Sequence, residues 1–269
     1  MDFDPNYYND FTDSILPANK LINKINEMSN NNNNMIVLDI GCGTGSTTKL
    51  LTQLNPNRII GCDIDSKMVG FAQKYNKTSK IDYLVQDFGV QWDKLDSRVK
   101  QMAGKVTAIF TNYAMAWVWD KQCAAENIAR LLAPDGIFVG NILYDGDIFQ
   151  SLPESERLKA YELVPYPTEM EFMGGWLMAL KNAGLTKIDV EYWEPKIIMS
   201  EKLYLDEYIN IPMNWFKHYS QVTNEDMDSL MKKLIYAERC RRIDQLSTDG
   251  MQQIEIINRL WQVVAQKHY

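Results

Sequence analysis

The chain has 269 residues, a formal net charge of −7 and a hydrophobic content of 46%. A chain of this length buries enough surface to fold without a disulfide or a structural metal. From this length we expect one large domain, or a domain with a cap. The acidic balance disfavours nucleic acid as the main substrate, because binding along the phosphates needs clustered Lys and Arg.

The N-terminal segment predicts neither export nor membrane insertion. It carries Asp2 and Asp4 where a secretory signal would be positive, and no apolar core follows. No later run approaches the ~20 apolar residues of a membrane span. The 4 cysteines are widely spaced and the 2 histidines too few for a metal site. We therefore expect a cytoplasmic protein without a membrane span or a metal.

The first half of the chain predicts a parallel sheet. Residues 1–34 are expected to be a helical lead-in, because their apolar residues recur at helical spacing. From Met35, short apolar runs alternate with helical stretches, which is typical of βαβ units. The predicted strands are 35–40, 58–63, 81–87, 106–112 and 136–143, and the predicted helices are 44–54, 66–75 and 121–133. This order predicts a doubly wound α/β domain over residues 35–200.

The alternation weakens after the fifth predicted strand. Residues 144–168 read as a loop rich in Tyr, Pro and acids, 169–183 as a helix, and 187–200 as a strand. Residues 201–253 carry apolar residues at helical spacing, with little Gly or Pro. They predict a helical cap over the substrate, inserted before a closing strand within 254–269.

A glycine-rich turn follows the first predicted strand. Its sequence, LDIGCGTG, occupies residues 38–45 and contains Gly41, Gly43 and Gly45. Glycines permit a sharp turn there, and they let the backbone lie against a ligand that a β-carbon would obstruct. The turn therefore predicts a cofactor site at the carboxyl edge of the sheet.

Three acids lie at successive strand ends. Asp39 precedes the turn, Asp63 ends the second predicted strand and Asp87 ends the third. The carboxyl ends of parallel strands meet at one edge, so these carboxylates should share a site. Asp63 can accept both hydroxyls of a ribose, Asp87 can accept from an adenine amino group, and Phe88 can cover the adenine ring.

Two cofactor classes compete for such a turn. Dinucleotides prefer GxGxxG, whose last glycine opens the helix that neutralises phosphate charge, whereas this chain has GxGxG. Asp39 would repel a pyrophosphate but suits the ammonium and sulfonium groups of S-adenosylmethionine. The residues therefore favour S-adenosylmethionine over a nicotinamide or flavin cofactor.

The segments LDIGCGTG, GCDID, VQDF and FTNYAMAW together resemble the class I S-adenosylmethionine-dependent methyltransferases over about residues 35–145. The resemblance implies a Rossmann-like sheet with S-adenosylmethionine as its cofactor. It further implies cofactor contacts from the glycine turn, from the following strand ends and from one tyrosine ahead of the domain. These residues are Asp39, Gly41, Cys42, Gly43, Gly45, Asp63, Ile64, Met68, Asp87, Phe88, Asn112 and Tyr8.

The finer pattern is similar to small-molecule carboxyl O-methyltransferases of the juvenile hormone acid and trans-aconitate type. FTNYAMAWVWD, NIARLLAPDGIF and NILYDGDIF carry this likeness. The chain departs from these families at Ala116, where they often have His or Gln. It also departs at Ile15, the nearest counterpart of a glutamine associated with the substrate carboxylate in the hormone enzymes.

The chemistry implied here depends on positioning. Methyl transfer from a sulfonium is an in-line displacement, and a carboxylic acid is already ionised at neutral pH, so it needs no general base. We therefore assign no catalytic residue with certainty. Aromatic side chains would hold the sulfonium through their π faces. Tyr113 and Trp117 are assigned to positioning, and substrate contact is assigned to these two together with Tyr144, Trp215 and Phe216.

The residues are compatible with three functions. The favoured one is O-methylation of a small apolar carboxylic acid, of isoprenoid or fatty-acid type. The second is N-methylation of a small amine or of a protein or nucleic-acid amide; TNYA lacks the prolines of the NPPY-like motif that amide methyltransferases carry. The third is a protein that binds the cofactor without turnover, which the departures at Ala116 and Ile15 would suit. No sequence feature indicates the oligomeric state.

Overall fold

A computed structural model describes residues 5–10, 14–29, 34–144, 153–163, 167–204, 240–246 and 250–267. The chain divides into two compact units. The first comprises residues 2–143, 173–193 and 260–269, and the second comprises Met1 with residues 144–172 and 194–259. Within the described ranges, no helix has both the length and the apolar character needed to cross a membrane.

The helices and strands are numbered separately in chain order. The helices are α1 (Pro5–Asp10), α2 (Ile15–Met28), α3 (Ser46–Leu50), α4 (Ser66–Tyr75), α5 (Ser97–Lys100), α6 (Lys121–Leu131), α7 (Glu154–Leu163), α8 (Glu169–Asn182) and α9 (Glu201–Leu203). The strands are β1 (Ile36–Ile40), β2 (Arg58–Asp63), β3 (Ile81–Val85), β4 (Val106–Asn112), β5 (Leu132–Tyr144), β6 (Leu185–Trp193), β7 (Lys196–Ser200), β8 (Cys240–Leu246), β9 (Gln252–Ile257) and β10 (Arg259–Lys267).

The first unit is built on a seven-stranded sheet in the order β3-β2-β1-β4-β5-β10-β6. Four pairs of neighbouring strands are parallel: β1 with β2, β1 with β4, β2 with β3, and β4 with β5. At the other end of the sheet, β10 and β6 pair with each other in antiparallel orientation. The predicted doubly wound parallel sheet is confirmed. Near-continuous apolar runs form these strands because helices cover both faces of such a sheet. The order reverses between β1 and β4, and the carboxyl ends of these strands therefore flank a crevice.

Helix α2 is part of the core of this unit. Leu21, Ile22 and Ile25 are buried in one cluster with Val37 of β1 and Phe110 of β4. Each such side chain contributes about 1.5–3 kcal/mol when it is fully buried. The predicted helical lead-in is confirmed for this stretch, and its packing fixes the start of α2 beside the sheet.

Helix α4 begins directly after an aspartate cap. Asp65 is the N-cap, and its carboxylate accepts from the backbone N–H of Lys67 at 2.8 Å. Ser66, where the predicted helix over 66–75 begins, is the first helical residue. Asp65, one position earlier, is the cap because its oxygen reaches the free N–H groups of the first turn.

The predicted strand over residues 187–200 is two strands. β6 joins the seven-stranded sheet, whereas β7 belongs to the second unit, and Pro195 lies between them. Proline has no N–H for a sheet ladder, so a strand does not run through it. The predicted loop at residues 144–168 contains α7.

The second unit contains an antiparallel sheet in the order β7-β9-β8. The prediction of helix throughout residues 201–253 is therefore wrong at its C-terminal end, where β8 and the start of β9 lie. Ile254 and Ile256 are both buried and pair with Met199 and Ile197, a spacing of two that suits a strand. The closing strand predicted within residues 254–269 is β10, and β9 precedes it. Residues 205–239 lie outside the described part.

Candidate functional site

The glycine turn lies at the carboxyl end of β1, where the sequence predicts it. Gly41, Gly43 and Gly45 have φ values of +75°, +53° and +82°, a region that disfavours residues with a β-carbon. A β-carbon on Gly41 would also collide with the side chain of Ala114, and one on Gly45 with the Tyr83 hydroxyl. The positive φ favours glycine at all three positions, and the contacts add a second reason at Gly41 and Gly45.

Backbone N–H groups of this turn donate hydrogen bonds to acceptors within the protein. Gly41 and Cys42 both donate to the carbonyl oxygen of Cys62, at 2.7 and 3.0 Å. Gly45 donates to the carbonyl oxygen of Cys42 at 2.9 Å, and Gly43 donates to the carboxylate of Asp63 at 2.8 Å. These four donors are therefore already engaged before any ligand arrives.

Asp63 joins the glycine turn to the end of β2. Its Oδ2 accepts from the Gly43 N–H, and its Oδ1 accepts from the Asp65 N–H at 2.9 Å. Burial raises the pKa of this carboxyl, an effect that the two N–H groups oppose. Each carboxylate oxygen has more than one lone pair, so Asp63 can hold the turn and still accept from a ligand.

Asp39 is a buried carboxylate beneath the same turn. Its side chain is 1% exposed, and its Oδ2 accepts from Thr48 Oγ1 at 2.6 Å. Burial raises its pKa to about 7, the Thr48 hydrogen bond lowers it, and the charge of Asp63 raises it further. A cation placed beside Asp39 would favour its ionised form, whereas an anion would be repelled.

A backbone hydrogen bond joins the ends of β2 and β3 beside Asp87, the third predicted acid. Gln86 donates its backbone N–H to the carbonyl oxygen of Asp63 at 2.8 Å, and Asp87 accepts from the Gly89 N–H at 2.7 Å. Asp87 is half-buried and Phe88 is buried. This places Asp87 close in the fold to Asp63, as predicted, whereas the Phe88 side chain lies within the protein.

The two apolar residues predicted beside the adenine differ in exposure. Ile64 follows Asp63 and is 68% exposed, so it presents an apolar surface at this edge. Met68 lies in α4 and is buried. Ile64 is therefore available to a ligand, and Met68 packs inside the unit.

The end of β4 carries the next group of predicted residues. Asn112 donates to the carbonyl oxygen of Ser14 and accepts from Asn141. Tyr113 has a left-handed backbone with φ +67°, which is uncommon for a bulky residue. Tyr113 and Trp117 are half-buried, whereas Trp119 is 81% exposed. The two residues assigned to positioning thus flank the same short turn.

A family model described as a methyltransferase domain matches residues 37–136. This range contains the glycine turn, Asp63, Asp87 and Asn112. Residues 37–136 therefore match a methyltransferase domain. The resemblance predicted from the four segments is confirmed.

Sequence relatives of the chain include two methyltransferases. Juvenile hormone acid O-methyltransferase of Bombyx mori is 31% identical over 128 residues, covering 45% of this chain and 44% of that protein. Trans-aconitate 2-methyltransferase of Azoarcus is 32% identical over 102 residues, covering 38% of this chain and 36% of that protein. The chain thus spans less than half the length of these relatives.

A solved structure supports the same fold over most of the chain. The YcgJ protein from Bacillus subtilis superposes with a TM-score of 0.58 at 17% identity, covering 93% of this chain and 99% of that one. At this identity the likeness concerns the fold alone.

An N-terminal helix lies beside the glycine turn of the methyltransferase domain. The Asn76 side chain donates to the carbonyl oxygen of Thr44 at 2.8 Å and to Asn9 of α1 at 3.2 Å. Tyr8 is in α1, but its side chain lies outside the described part. Sequence reasoning missed Asn76, because an asparagine at a helix end is typical of a solvated cap.

The remaining predicted substrate residues lie away from these strand ends in sequence. Tyr144 belongs to the second unit, where its hydroxyl donates to the carbonyl oxygen of Pro167 at 3.0 Å and its ring packs on Phe172. Trp215 and Phe216 lie outside the described residues. In the part of the chain that the structure describes, no cluster of His, Cys, Asp and Glu could hold a metal ion.

Proposed function

We propose that the chain is a methyltransferase that binds S-adenosylmethionine at the glycine turn and methylates a small apolar carboxylic acid. One observation carries the cofactor assignment. The N–H groups of Gly41, Cys42, Gly43 and Gly45 donate to protein acceptors, and two carboxylates flank them, the buried Asp39 and the half-buried Asp63. Such a turn has little to offer a phosphate and suits a cation.

The same observation disfavours a dinucleotide. Dinucleotide sites bind pyrophosphate with free backbone N–H groups at a helix N-terminus. Here the Asp63 carboxylate accepts from the Gly43 N–H, so a phosphate would meet a negative charge in place of a donor. S-adenosylmethionine carries no phosphate, and its ammonium and sulfonium would be attracted by Asp39 and Asp63.

The proposed cofactor contacts follow the strand ends. Asp63 accepts the ribose hydroxyls, and Ile64 covers one side of the adenine. Asp87 accepts from the adenine amino group, and Asn112 closes the site from β4. The turn itself lies against the methionine part, with Asp39 beneath it.

The proposed methyl acceptor is a carboxylate. The two relatives above are named as methyltransferases of juvenile hormone acid and of trans-aconitate. An ionised carboxylate attacks the sulfonium methyl without a general base. The reaction joins a negative acceptor and a positive donor into neutral products, which a dry, apolar pocket favours. Tyr113 and Trp117 position the reacting groups.

Product analysis tests this function. We expect isothermal titration calorimetry to show binding of S-adenosylhomocysteine, and mass spectrometry to show the mass gain of one methyl group on an isoprenoid or fatty acid supplied with S-adenosylmethionine. Products from an amine panel alone would favour the N-methyltransferase alternative. Cofactor binding without any product would favour a binding protein that lacks turnover.

Replacing Asp63 by alanine tests the ribose assignment. Asp63→Ala should weaken S-adenosylhomocysteine binding by tenfold to a hundredfold, because each hydrogen bond to a charged group is worth about 1.5–3 kcal/mol. Asp65→Ala is the matched control, since Asp65 caps α4 without accepting from the glycine turn. It should cost about 1 kcal/mol of folding stability and leave the affinity unchanged. Equal affinities for wild type and Asp63→Ala in calorimetry would contradict the assignment.

A further inference from the structure

Three side-chain amides form a hydrogen-bonded chain across three adjacent strands. Gln262 of β10 donates from Nε2 to Asn141 Oδ1 of β5 at 3.3 Å. Asn141 donates from Nδ2 to Asn112 Oδ1 of β4 at 2.9 Å. Asn112 in turn donates from Nδ2 to the carbonyl oxygen of Ser14 at 3.1 Å. We name Gln262, Asn141 and Asn112 the amide chain. It links the outer part of the sheet to the residue that precedes α2.

Every link of the amide chain donates in the same direction. A side-chain amide has a donor end and an acceptor end, so its orientation depends on its neighbours. The Gln262 NH2 faces the Asn141 oxygen, and therefore the Asn141 NH2 faces Asn112. The Asn112 oxygen then faces inward, and its NH2 faces the Ser14 carbonyl. Gln262 thus sets the orientation of an amide two strands away.

Packing alone does not explain these residues. Asn141 and Gln262 are 0% and 2% exposed, and a buried amide costs free energy unless its hydrogen bonds are made. Apolar side chains would fill the same volume without that requirement. A fully connected buried network instead fixes one arrangement of the groups at its end.

The amide chain ends at residues assigned to the site. Asn112 is its last member, and the next residue is Tyr113. The backbone oxygen of Asn141 accepts from the Tyr113 N–H at 3.0 Å. Tyr113 has a left-handed backbone, a conformation that persists only where the surroundings hold it. Asn141 therefore holds the Asn112 side chain and the Tyr113 backbone at once.

We propose that Gln262 and Asn141 are positioning residues for methyl transfer, acting through Asn112 and Tyr113. The inference rests on the proposed function, which assigns Asn112 and Tyr113 to the cofactor and substrate site. With the chain intact, the Asn112 amide has one orientation and Ser14 is tied to the end of β4. Without Gln262, both the Asn141 and Asn112 amides can turn over and release Ser14.

The first test removes the donor at the start of the amide chain. Gln262→Met keeps an unbranched side chain of similar length but cannot donate. We expect it to weaken S-adenosylhomocysteine binding about tenfold in calorimetry, the effect of one hydrogen bond of ordinary strength. Gln266→Met is the matched control: it lies on the same strand and donates outside the amide chain, to the carbonyl oxygen of Asp135. Its affinity should equal that of wild type.

A double-mutant cycle separates positioning from general destabilisation. Asn112→Ala should weaken binding, and adding Gln262→Met should then have no further effect, because Gln262 acts through Asn112. If Gln262→Met acted only by destabilising the fold, it would weaken binding by the same factor in wild type and in Asn112→Ala. Additive effects, or unchanged affinity in Gln262→Met, would overturn the inference while leaving the proposed function intact. A wild-type chain that binds no S-adenosylhomocysteine would overturn both.

Gln262→Glu supplies a readout in pH. The carboxyl group of this variant can donate to Asn141 when it is protonated, whereas the ionised carboxylate only accepts. The ratio of variant to wild-type affinity should therefore approach one at low pH and fall as pH rises. A ratio that does not change with pH in Gln262→Glu would contradict the orientation argument.

Discussion

Asp39→Asn is expected to stabilise the ligand-free chain and to weaken cofactor binding in the same protein. The pKa of Asp39 is raised from its ordinary value of 3.8 to about 7, chiefly because the carboxyl is buried. The asparagine cannot ionise, yet it keeps an oxygen that can accept from Thr48 Oγ1. The substitution therefore removes the charge and preserves the hydrogen bond.

The stability effect has a definite sign. At pH values between its unfolded-state pKa and its raised folded-state pKa, such a carboxyl binds more protons in the folded state than in the unfolded state. Stability therefore falls as pH rises from about 4 to about 7. Above pH 7 the full penalty is about 4 kcal/mol, and at pH 5 it is about 1.5 kcal/mol. Urea unfolding should show Asp39→Asn gaining these amounts over wild type at each pH.

Asp39→Asn should weaken ligand binding although it raises stability. A cationic ligand beside Asp39 favours the carboxylate, so wild-type affinity for S-adenosylhomocysteine should rise with pH from about 5.5 to 7. That range lies below the pKa of about 7.7–8.0 of an α-amino group, so the ligand keeps its ammonium. Asp39→Asn should bind more weakly and show a flatter pH dependence. Equal pH dependence in both proteins would contradict the role of Asp39.

A surface carboxylate provides the control for both measurements. Asp82 on β3 forms an exposed ion pair with Arg58 at 3.0 Å. Exposed pairs contribute about 0–1 kcal/mol, so Asp82→Asn should change stability little and leave the pH dependence of binding as in wild type.

The parallel sheet and the glycine turn could be predicted because their signals are local. β1, β2 and β4 are short apolar runs with a fixed period, and the spacing of Gly41, Gly43 and Gly45 lies within one turn. Parallel strands then bring Asp39 and Asp63 together without any knowledge of packing. Local pattern and topology suffice for this part of the candidate site.

The amide chain could not be predicted, because its members are far apart in sequence. Asn112 and Ser14 are 98 residues apart, and Gln262 and Asn141 are 121. Each amide, seen alone in a strand, is typical of a solvated polar position. Only the strand order β4-β5-β10 brings them into line, and a closing strand placed at residues 254–269 does not fix that register.

The error at residues 240–253 has a different cause. The prediction extends the helical spacing of apolar residues earlier in the cap through this stretch. Gly250, with φ +81°, instead precedes a strand in which Ile254 and Ile256 alternate with polar residues. A glycine directly before an alternating run favours a turn followed by a strand, and this signal outweighs a weak helical period.

Gly41→Ala is expected to produce a large loss of both stability and cofactor binding. The left-handed backbone costs a residue with a β-carbon about 1–2 kcal/mol. The new methyl would also collide with the Ala114 side chain, and overpacking of this kind costs about 1–3 kcal/mol more. The collision pushes the glycine turn away from the segment that carries Tyr113 and Trp117. Chemical denaturation and calorimetry should both show the loss.

Two further variants divide this loss into its parts. Gly104 has a similar φ of +69° with open space around its missing β-carbon, so Gly104→Ala should show the backbone cost alone and bind S-adenosylhomocysteine normally. Ala114→Gly removes the atom that the new methyl strikes. Combined with Gly41→Ala, it should recover the collision part of the loss, measured as a coupling between the two sites. Additive losses in the double variant would mean that the backbone conformation, and not contact with Ala114, is what excludes alanine at this turn.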